Sequence, residues 1–449
     1  MDVLTLSRLQ FGLTIAFHYI FPPLSIGLGL ILVIMEGLYL KTKNPLYHLM
    51  ARFWVRIFGL IFAIGVATGI VMEFQFGTNW SAYSRYVGDV FGSALAAEGI
   101  FAFFLESGFL AILLFGWNKV SPRFHFFSTI MVALGAHFSA IWIVVANSWQ
   151  QTPAGHHIVG QGLNARAEIV DFWQMVLNPS SVDRISHTFM GAWQAGAFFI
   201  LSVSAFYLLR KKHQDFAKTS IKIALIVAAV ASVMQLVTGH SSAQGISVTQ
   251  PAKLAAFEAH YAESAAAPLY LFGWVNEKEE KVLMGVKIPG LLSYLVHGDF
   301  ERPVTGLRAF PPDKRPPVNF VFQTYHGMVA IGMALIALSL GGLFFWWRRW
   351  LFNLKWYLWI LVFSVLGPQI SNQLGWFSAE VGRQPYIVYN HLLTSEAFSK
   401  SISSGEVITS LVMFVVIYIF LLALFVYLLN EKIRQGPSED GIISEEHRA

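Results

Sequence analysis

Three side chains that can bind iron lie in or beside long apolar stretches of the sequence: His18, His187 and Met328. Taken singly, a histidine in such a stretch is as readily a packing residue, and a methionine is normally core filler. A histidine and a methionine at similar depth form a different pattern, because together they can fill both axial positions of a haem iron. We therefore treat the three residues as candidate ligands.

Two glutamates, Glu98 and Glu106, share another apolar stretch. Ionisable residues are expensive inside a bilayer and usually mark function. On a regular helix, a spacing of eight residues puts the two carboxyl groups about 80° apart around the axis and about two turns apart in height. The pair could relay protons, or both side chains could simply bond to neighbouring helices. We expect proton transfer.

The segment 375–385, Gly-Trp-Phe-Ser-Ala-Glu-Val-Gly-Arg-Gln-Pro, follows an apolar stretch and is unusual for a plain connector. It contains Trp376, Glu380 and Arg383 within eight residues. An ordinary turn at the membrane interface, anchored by Trp376, is the alternative. We include Glu380 with the candidate ligands because it lies at the same end of its stretch as the others.

Composition indicates what kind of element must position these residues. Hydrophobic residues make up 55% of the 449 and charged residues only 13%, whereas soluble domains have about 25% charged residues. The apolar residues fall into runs of about 20 or more, long enough to cross a hydrocarbon core of about 30 Å as helices. We predict an all-α integral membrane protein. Cysteine is absent, which excludes disulfides, thiolate clusters and thiol catalysis.

We predict nine membrane spans, at residues 11–40, 52–74, 92–116, 125–146, 187–209, 220–239, 318–347, 356–376 and 406–430. Pro22 and Pro23 predict a kink or break in the first span. Seventeen Lys and Arg residues lie in one alternating set of short loops and the C-terminal tail, and six lie in the other set. Basic residues concentrate in cytoplasmic loops, so the N-terminus is expected outside and the C-terminus in the cytoplasm. The basic pI of 9.2 is explained in this way, without nucleic-acid binding.

The predicted spans divide the chain into four parts. Residues 1–239 hold six helices, 240–317 form a long external loop, 318–430 hold three helices, and 431–449 form a cytoplasmic tail. The external loop mixes eight basic with eight acidic residues. Long loops of this kind are often lids or binding loops.

Six segments of the chain resemble subunit I of the cytochrome bd-type quinol oxidases, and the similarity covers nearly the whole length. They are residues 7–11 together with His18, and residues 97–107, 139–147, 187–188, 250–258 and 375–385. The last two are highly specific. The nine predicted spans and the external N-terminus also agree with this family.

The resemblance implies three haems near the outer side of the membrane. A low-spin haem b558 would take His187 and Met328 as axial ligands. His18 and Glu380 would serve two high-spin haems, b595 and d, in an order that the resemblance leaves open, and a third haem b could stand in place of haem d. Arg383, beside Glu380, counts among the implied cofactor-binding residues.

The resemblance also implies roles for five further residues. The external loop is similar to the short type of quinol-binding loop, with Lys253 and Glu258 as its functional residues. Glu98 and Glu106 match residues near the high-spin haems that deliver protons or compensate charge. Trp376 matches an aromatic residue beside those haems.

The implied activity is that of a quinol:O2 oxidoreductase in a bacterial cytoplasmic membrane. Quinol would be oxidised outside, and electrons would pass through haem b558 to the high-spin pair, where O2 is reduced to water with protons from inside. Charge would thus be separated without a pump. The implied partners are subunit II of the oxidase and a small single-helix accessory subunit.

Two positions depart from the family pattern. His326 stands where the family usually has an arginine, two residues before Met328, and Gly239-His240 stands where Gly-Asp is expected. An arginine remains charged, whereas a histidine titrates near neutrality. The histidine at position 326 therefore concerns the tuning of the low-spin haem and not its axial ligation. With the short loop, these features suggest a divergent branch such as the cyanide-insensitive oxidases.

Two other classes of protein are compatible with parts of the pattern. A secondary transporter could use Glu98 and Glu106 as coupling carboxylates, but it would leave the candidate ligands unexplained. A b-type membrane anchor that only passes electrons would contain no five-coordinate haem able to bind CO or O2. A haem–copper oxidase is disfavoured because too few histidines lie within the spans.

Overall fold

A computed structural model describes residues 1–437, and the last twelve residues of the predicted tail 431–449 lie outside them. Helices form most of the described chain. They are α1 Val3–His18, α2 Phe21–Thr42, α3 Pro45–Thr78, α4 Ser81–Tyr86, α5 Gly88–Glu98, α6 Phe104–Phe115, α7 Pro122–Gln151, α8 Phe172–Val176, α9 Ser181–Leu209, α10 Gln214–Thr249, α11 Pro251–Phe257, α12 Leu291–His297, α13 Val318–Trp347, α14 Lys355–Phe363, α15 Leu366–Val381, α16 Thr394–Ala397 and α17 Ser404–Gln435.

Three small antiparallel hairpins connect some of the helices. Their strands are β1 His156–Val159 with β2 Arg166–Ile169, β3 Leu269–Asn276 with β4 Lys281–Ile288, and β5 Tyr386–Val388 with β6 Leu392–Leu393.

Eight helical segments within residues 1–437 are long and apolar enough to cross a membrane. They coincide with eight of the nine predicted spans, α1 and α2 together forming the first. The predicted span 356–376 is not one continuous helix, because α14 ends at Phe363 and α15 begins at Leu366. The ring of Pro368 clashes with a helical carbonyl four residues earlier, at Ser364, which explains the break. The predicted all-α membrane fold is confirmed, with eight candidate spans among the described residues and an interruption in the remaining predicted span.

The predicted break in the first span is confirmed. Tyr19 and Ile20 separate α1 from α2, and Pro22 and Pro23 occupy the first turn of α2. Gln373 of α15 donates a 2.8 Å hydrogen bond to the carbonyl of Ala16, so a neighbouring helix satisfies backbone next to the break. The break places His18 at the very end of α1.

The first helix begins earlier than hydropathy indicates. The side chain of Asp2 accepts a 2.7 Å hydrogen bond from the amide of Thr5 and caps α1 at Val3. His18 is the sixteenth and last residue of the helix, which puts it roughly 22 Å from the helix start.

The third span contains a π-helical turn, Gly99–Phe103, between α5 and α6. A π turn takes up about one extra residue, which rotates everything after it by about 100° relative to a regular helix. The angle between Glu98 and Glu106 therefore falls from the predicted 80° to roughly 20°. The two carboxylates lie on one face of the span, and the prediction of neighbouring faces is wrong.

The loops that carry the predicted site gather at one end of the bundle, which we call the loop face: residues 79–87, 152–180, 250–317 and 382–403. A 2.8 Å backbone hydrogen bond from Ser399 to the carbonyl of Asn79 joins two of these loops, and Tyr389 donates over 2.9 Å to the carbonyl of Gln150 at the end of α7. The predicted loop 240–317 begins later than expected, since α10 continues to Thr249.

At the centre of the bundle, α2 and α9 cross where Gly27 meets Gly196. A Cβ on either glycine would lie under 3 Å from the backbone of the other helix, so only glycine permits this approach. The crossing brings the first and fifth predicted spans into direct contact.

Candidate functional site

A cavity of about 550 Å³ lies between α9, α10, α13 and α15 near the loop face. This volume is in the range of cofactor and ligand sites. Its walls include four of the predicted site residues, His187, Met328, Trp376 and Glu258. The structure thus brings the predicted histidine–methionine pair to one cavity.

His187 is held from α10. Its Nδ1 lies 3.1 Å from the hydroxyl of Thr238, and its Nε2 accepts a 3.0 Å hydrogen bond from the side-chain amide of Gln235. Met328 is held from α15, because a Cβ on Gly375 would lie only 2.7 Å from the methionine sulfur. Both ligand-capable side chains are therefore positioned by close contact with a neighbouring helix.

His18 lies outside the cavity lining and is held from α3. Its Nδ1 is 3.0 Å from the hydroxyl of Thr68, and a Cβ on Gly69 would lie 3.3 Å from its ring. The next residue, Tyr19, does line the cavity. The break between α1 and α2 therefore places His18 within one residue of the cavity wall.

Glu380 is part of α15 and not of the turn after it, so the predicted end of that span at residue 376 is wrong. Its Oε1 accepts hydrogen bonds of 3.1 Å from Asn147 and from Gln151, both on α7. Its Oε2 pairs with Arg383. The helix continues past Trp376 because these polar side chains find partners across the bundle.

Positive charge exceeds negative charge around Glu380. Arg383 and Lys253 are buried, and Arg184, whose guanidinium donates to Asn147, is near enough to interact with Glu380 and Lys253. Three basic side chains, two of them arginines, therefore surround one carboxylate.

Several donors in this cluster have no protein partner among the described residues. They are Nε and Nη1 of Arg383 and Nε of Arg184. Buried donors are normally hydrogen-bonded. An anion, such as a carboxylate carried by a bound group, would balance the surplus positive charge and accept hydrogen bonds from the unused donors.

Lys253 and Glu258 lie at opposite ends of the short helix α11, on the loop face. The ammonium of Lys253 donates to the side chains of Gln151 over 2.8 Å and Gln250 over 3.1 Å. Burial, with Arg184 nearby, lowers the pKa of Lys253 well below its usual value. Burial raises the pKa of Glu258 to about 8.

His326 lies close to Glu258, with Nε2 3.8 Å from the carboxyl oxygen Oε2. That oxygen has no hydrogen-bond partner within residues 1–437. The imidazole is fixed instead by backbone carbonyls, Phe322 at 2.9 Å from Nδ1 and Tyr270 at 2.8 Å from Nε2. The histidine that departs from the family pattern thus fastens the β3 strand to α13.

Glu98 and Glu106 lie apart from the cavity and face α7. The hydroxyl of Ser139 donates a 2.8 Å hydrogen bond to Glu98. A Cβ on Gly135 would lie 2.8 Å from the Cβ of Glu106, so the two helices touch there. A third carboxylate, Glu73 on α3, is close enough to Glu98 to interact with it electrostatically.

Sequence reasoning missed several residues of the site. Arg184 was counted only among the basic residues of the loops. Its position three residues before the candidate ligand His187 could have identified it as a site residue. Thr68 and Thr238 carried no signal, because a threonine in an apolar helix normally bonds to its own backbone.

Comparisons with known proteins identify the family of the chain. Residues 6–437 match the family model described as cytochrome bd terminal oxidase subunit I. The chain is 40% identical to cytochrome bd ubiquinol oxidase subunit 1 of Bacillus subtilis, over 98% of this chain and 95% of the relative. It is 36% identical to cytochrome bd-II ubiquinol oxidase subunit 1 of Escherichia coli, over 97% of both.

A solved structure is similar along the whole chain. The bd oxidase of Geobacillus thermodenitrificans superposes with a TM-score of 0.90 at 31% identity, covering 97% of this chain and 99% of the other. Family model, sequence relatives and architecture agree, and the chain belongs to the cytochrome bd terminal oxidase subunit I family.

Proposed function

We propose that this chain is the haem-carrying subunit of a quinol oxidase, and that it couples quinol oxidation at the loop face to reduction of O2 to water. The observation that carries the proposal is the cavity whose walls combine His187, Met328 and Glu258. A candidate pair of iron ligands and a buried carboxylate from the proposed quinol-binding loop thus line the same cavity. As a family member with eight candidate spans, the chain is a multi-pass protein of the bacterial cytoplasmic membrane.

The residues present fit haem in two respects. Histidine and methionine side chains of the kind found at the cavity complete a low-spin haem, and glycines bring helix backbone against both. The three basic side chains around Glu380 and the unpartnered donors of Arg184 and Arg383 suit haem propionates, which are carboxylates. We assign His187 and Met328 to haem b558, and His18 and Glu380 to the high-spin haems b595 and d.

Bound haem supplies one-electron redox chemistry that none of these side chains performs. The protein's contribution is position and protons. Lys253 holds the start of α11 through Gln151 and Gln250, and this fixes the loop against α7. Glu258, at the other end of α11, presents an unpartnered oxygen that can accept a proton from a quinol hydroxyl.

Glu98 and Glu106 are proposed to carry protons to the site of O2 reduction. Their alignment on one face of the third span, against Ser139 and Gly135 of α7, gives a line of polar groups within the membrane. With the N-terminus outside, quinol protons leave on the outer side and these carboxylates draw protons from inside. Charge would be separated without a pump. Membership in the subunit I family implies a subunit II partner.

Purification of the chain with its partner subunit provides the test. We expect a reduced-minus-oxidised spectrum with a low-spin haem, a CO-binding high-spin haem, and O2 uptake driven by quinol. A preparation with haem but no CO-binding species would favour a b-type electron-transfer anchor. A preparation that folds without haem would exclude an oxidase.

A further inference from the structure

The two candidate histidine ligands share the same neighbours. His18 meets Thr68 and Gly69 on α3, and His187 meets Thr238 and Gly239 on α10. In each case the imidazole contacts a Thr-Gly dipeptide on the next membrane span, α1 and α2 being counted as one span. We call the two dipeptides the imidazole seats.

The threonine of each seat determines which nitrogen carries the proton. The Thr238 hydroxyl donates to the carbonyl of Met234 over 3.0 Å, and the Thr68 hydroxyl donates to the carbonyl of Ile64 over 2.9 Å. A hydroxyl has one hydrogen, so towards the histidine each threonine can only accept. In this arrangement Nδ1 carries the proton and Nε2 keeps the lone pair, and on His187 that nitrogen accepts from the side-chain amide of Gln235.

The glycine of each seat makes room for the ring. A Cβ at Gly69 would lie 3.3 Å from Cε1 of His18, and a Cβ at Gly239 would lie 3.2 Å from Cε1 of His187. Both distances are tighter than ordinary carbon contacts, so a larger residue would push the imidazole away. The ring therefore lies directly against the helix backbone.

Back-bonded threonines are common in apolar helices, and Thr324 and Thr409 form such bonds in this chain without a histidine. One seat alone would carry little weight. The arrangement occurs twice, however, and its parts are spaced alike. The threonines follow their histidines by 50 and 51 residues, and the touching glycines Gly27 and Gly196 each follow by nine.

We propose that the two imidazole seats are positioning devices that hold each histidine as the Nδ1–H tautomer, present Nε2 to a haem iron, and set the electron-donating strength of the ligand. The proposal rests on the ligand roles proposed above for His18 and His187. A second hydrogen bond to a ligating histidine raises its basicity, and the loss of such outer partners typically weakens metal binding 10- to 100-fold. A more basic ligand favours ferric iron.

Thr238→Val keeps the shape of the side chain and removes the hydroxyl. In the complex with subunit II, we expect the ferric low-spin haem to be held about tenfold less tightly relative to the ferrous form. This is a rise of about 59 mV in its midpoint potential for a one-electron couple. Thr238→Ser restores the hydroxyl and should return the potential to the wild-type value. Thr409→Val, which removes a back-bonded hydroxyl remote from any histidine, should leave it unchanged.

Redox titration with optical and EPR detection of the low-spin haem decides the outcome. An unchanged potential in Thr238→Val, or an equal shift in the valine and serine variants, would overturn the proposal. Loss of the low-spin haem in the valine variant with retention in the serine variant supports it. Gly239→Ala provides an independent test, because displacement of the ring should change the EPR g values.

Two further variants separate this proposal from the ligand assignment. His187→Ala should abolish the low-spin signal, and a retained signal would show that the ligand assignment itself is wrong. If His187→Ala loses the low-spin haem while Thr238→Val behaves as wild type, His187 is a ligand but its imidazole seat has no positioning role. Thr68→Val should shift the spectrum of a high-spin haem and leave the low-spin potential unchanged. An unchanged high-spin spectrum would refute the positioning role of the seat at His18.

Discussion

Asn147 donates a 3.1 Å hydrogen bond to Oε1 of Glu380, which joins the ends of α7 and α15 at the loop face. The carbonyl oxygen of the same amide accepts from Arg184. Asn147 therefore lies between a cation and a carboxylate and fixes the distance between two helices. The candidate ligand Glu380 is held in position by a helix other than its own.

Glu380→Gln keeps the shape of this side chain and removes its charge. Because the buried Arg383 then lacks its carboxylate partner, we expect destabilisation of about 3–5 kcal/mol and loss of one high-spin haem, with the low-spin spectrum retained. Thermal unfolding and CO difference spectra of the purified complex measure the two effects. Glu301→Gln, an exposed loop variant, is the control, and a normal CO spectrum in Glu380→Gln would remove Glu380 from the ligand set.

Met328→Leu should alter the low-spin haem and spare CO binding, because leucine fills the space but offers no sulfur to iron. Reduced spectra recorded with and without CO test this. Met413→Leu, which changes an exposed methionine on α17, should have no spectral effect. If CO binding is lost and the low-spin signal remains, the assignment of Met328 is wrong.

Quinol oxidation should depend on pH through Glu258. Burial raises the pKa of this carboxyl to about 8, so below pH 8 it is protonated and cannot accept a proton from quinol. The rate should therefore rise as pH increases from about 6 to 9. Glu258→Gln should be about 100-fold slower and show no such rise; a variant with the wild-type pH profile would contradict the role.

Glu106→Gln should slow O2 reduction by about 100-fold while all haem spectra remain normal, since the carboxylate is proposed to move protons and not to bind iron. Stopped-flow oxidation by O2, with a pH dye reporting proton uptake, measures the step. Glu431→Gln, at the exposed end of α17, is the matched control. Normal proton uptake in Glu106→Gln would show that the pair Glu98 and Glu106 is structural.

Local sequence determined where most of the helices lie. Runs of apolar residues located eight candidate spans, and Pro22-Pro23 predicted the break that follows His18, because a proline removes a hydrogen bond wherever it occurs. The same rule applies to Pro368, next to which the predicted span 356–376 is interrupted. The π turn at Gly99–Phe103 could not be predicted, since its apolar sequence fits a regular helix equally well.

The candidate ligands could be named from residue type, but their partners could not. Thr238 lies 51 residues from His187, and Asn147 lies 233 residues from Glu380. Such pairs arise from the packing of helices that are distant in the chain, and hydropathy carries no information about which faces meet.

The sequence by itself determined that this protein is a helical membrane bundle, and its motifs determined the family, because both depend on residue types in fixed local order. Only the tertiary structure decided how the ligand-capable residues are held. It aligned Glu98 with Glu106, surrounded Glu380 with three basic side chains, and placed a Thr-Gly dipeptide behind each histidine. These relationships depend on helix rotation and crossing, which arise only when the whole bundle packs.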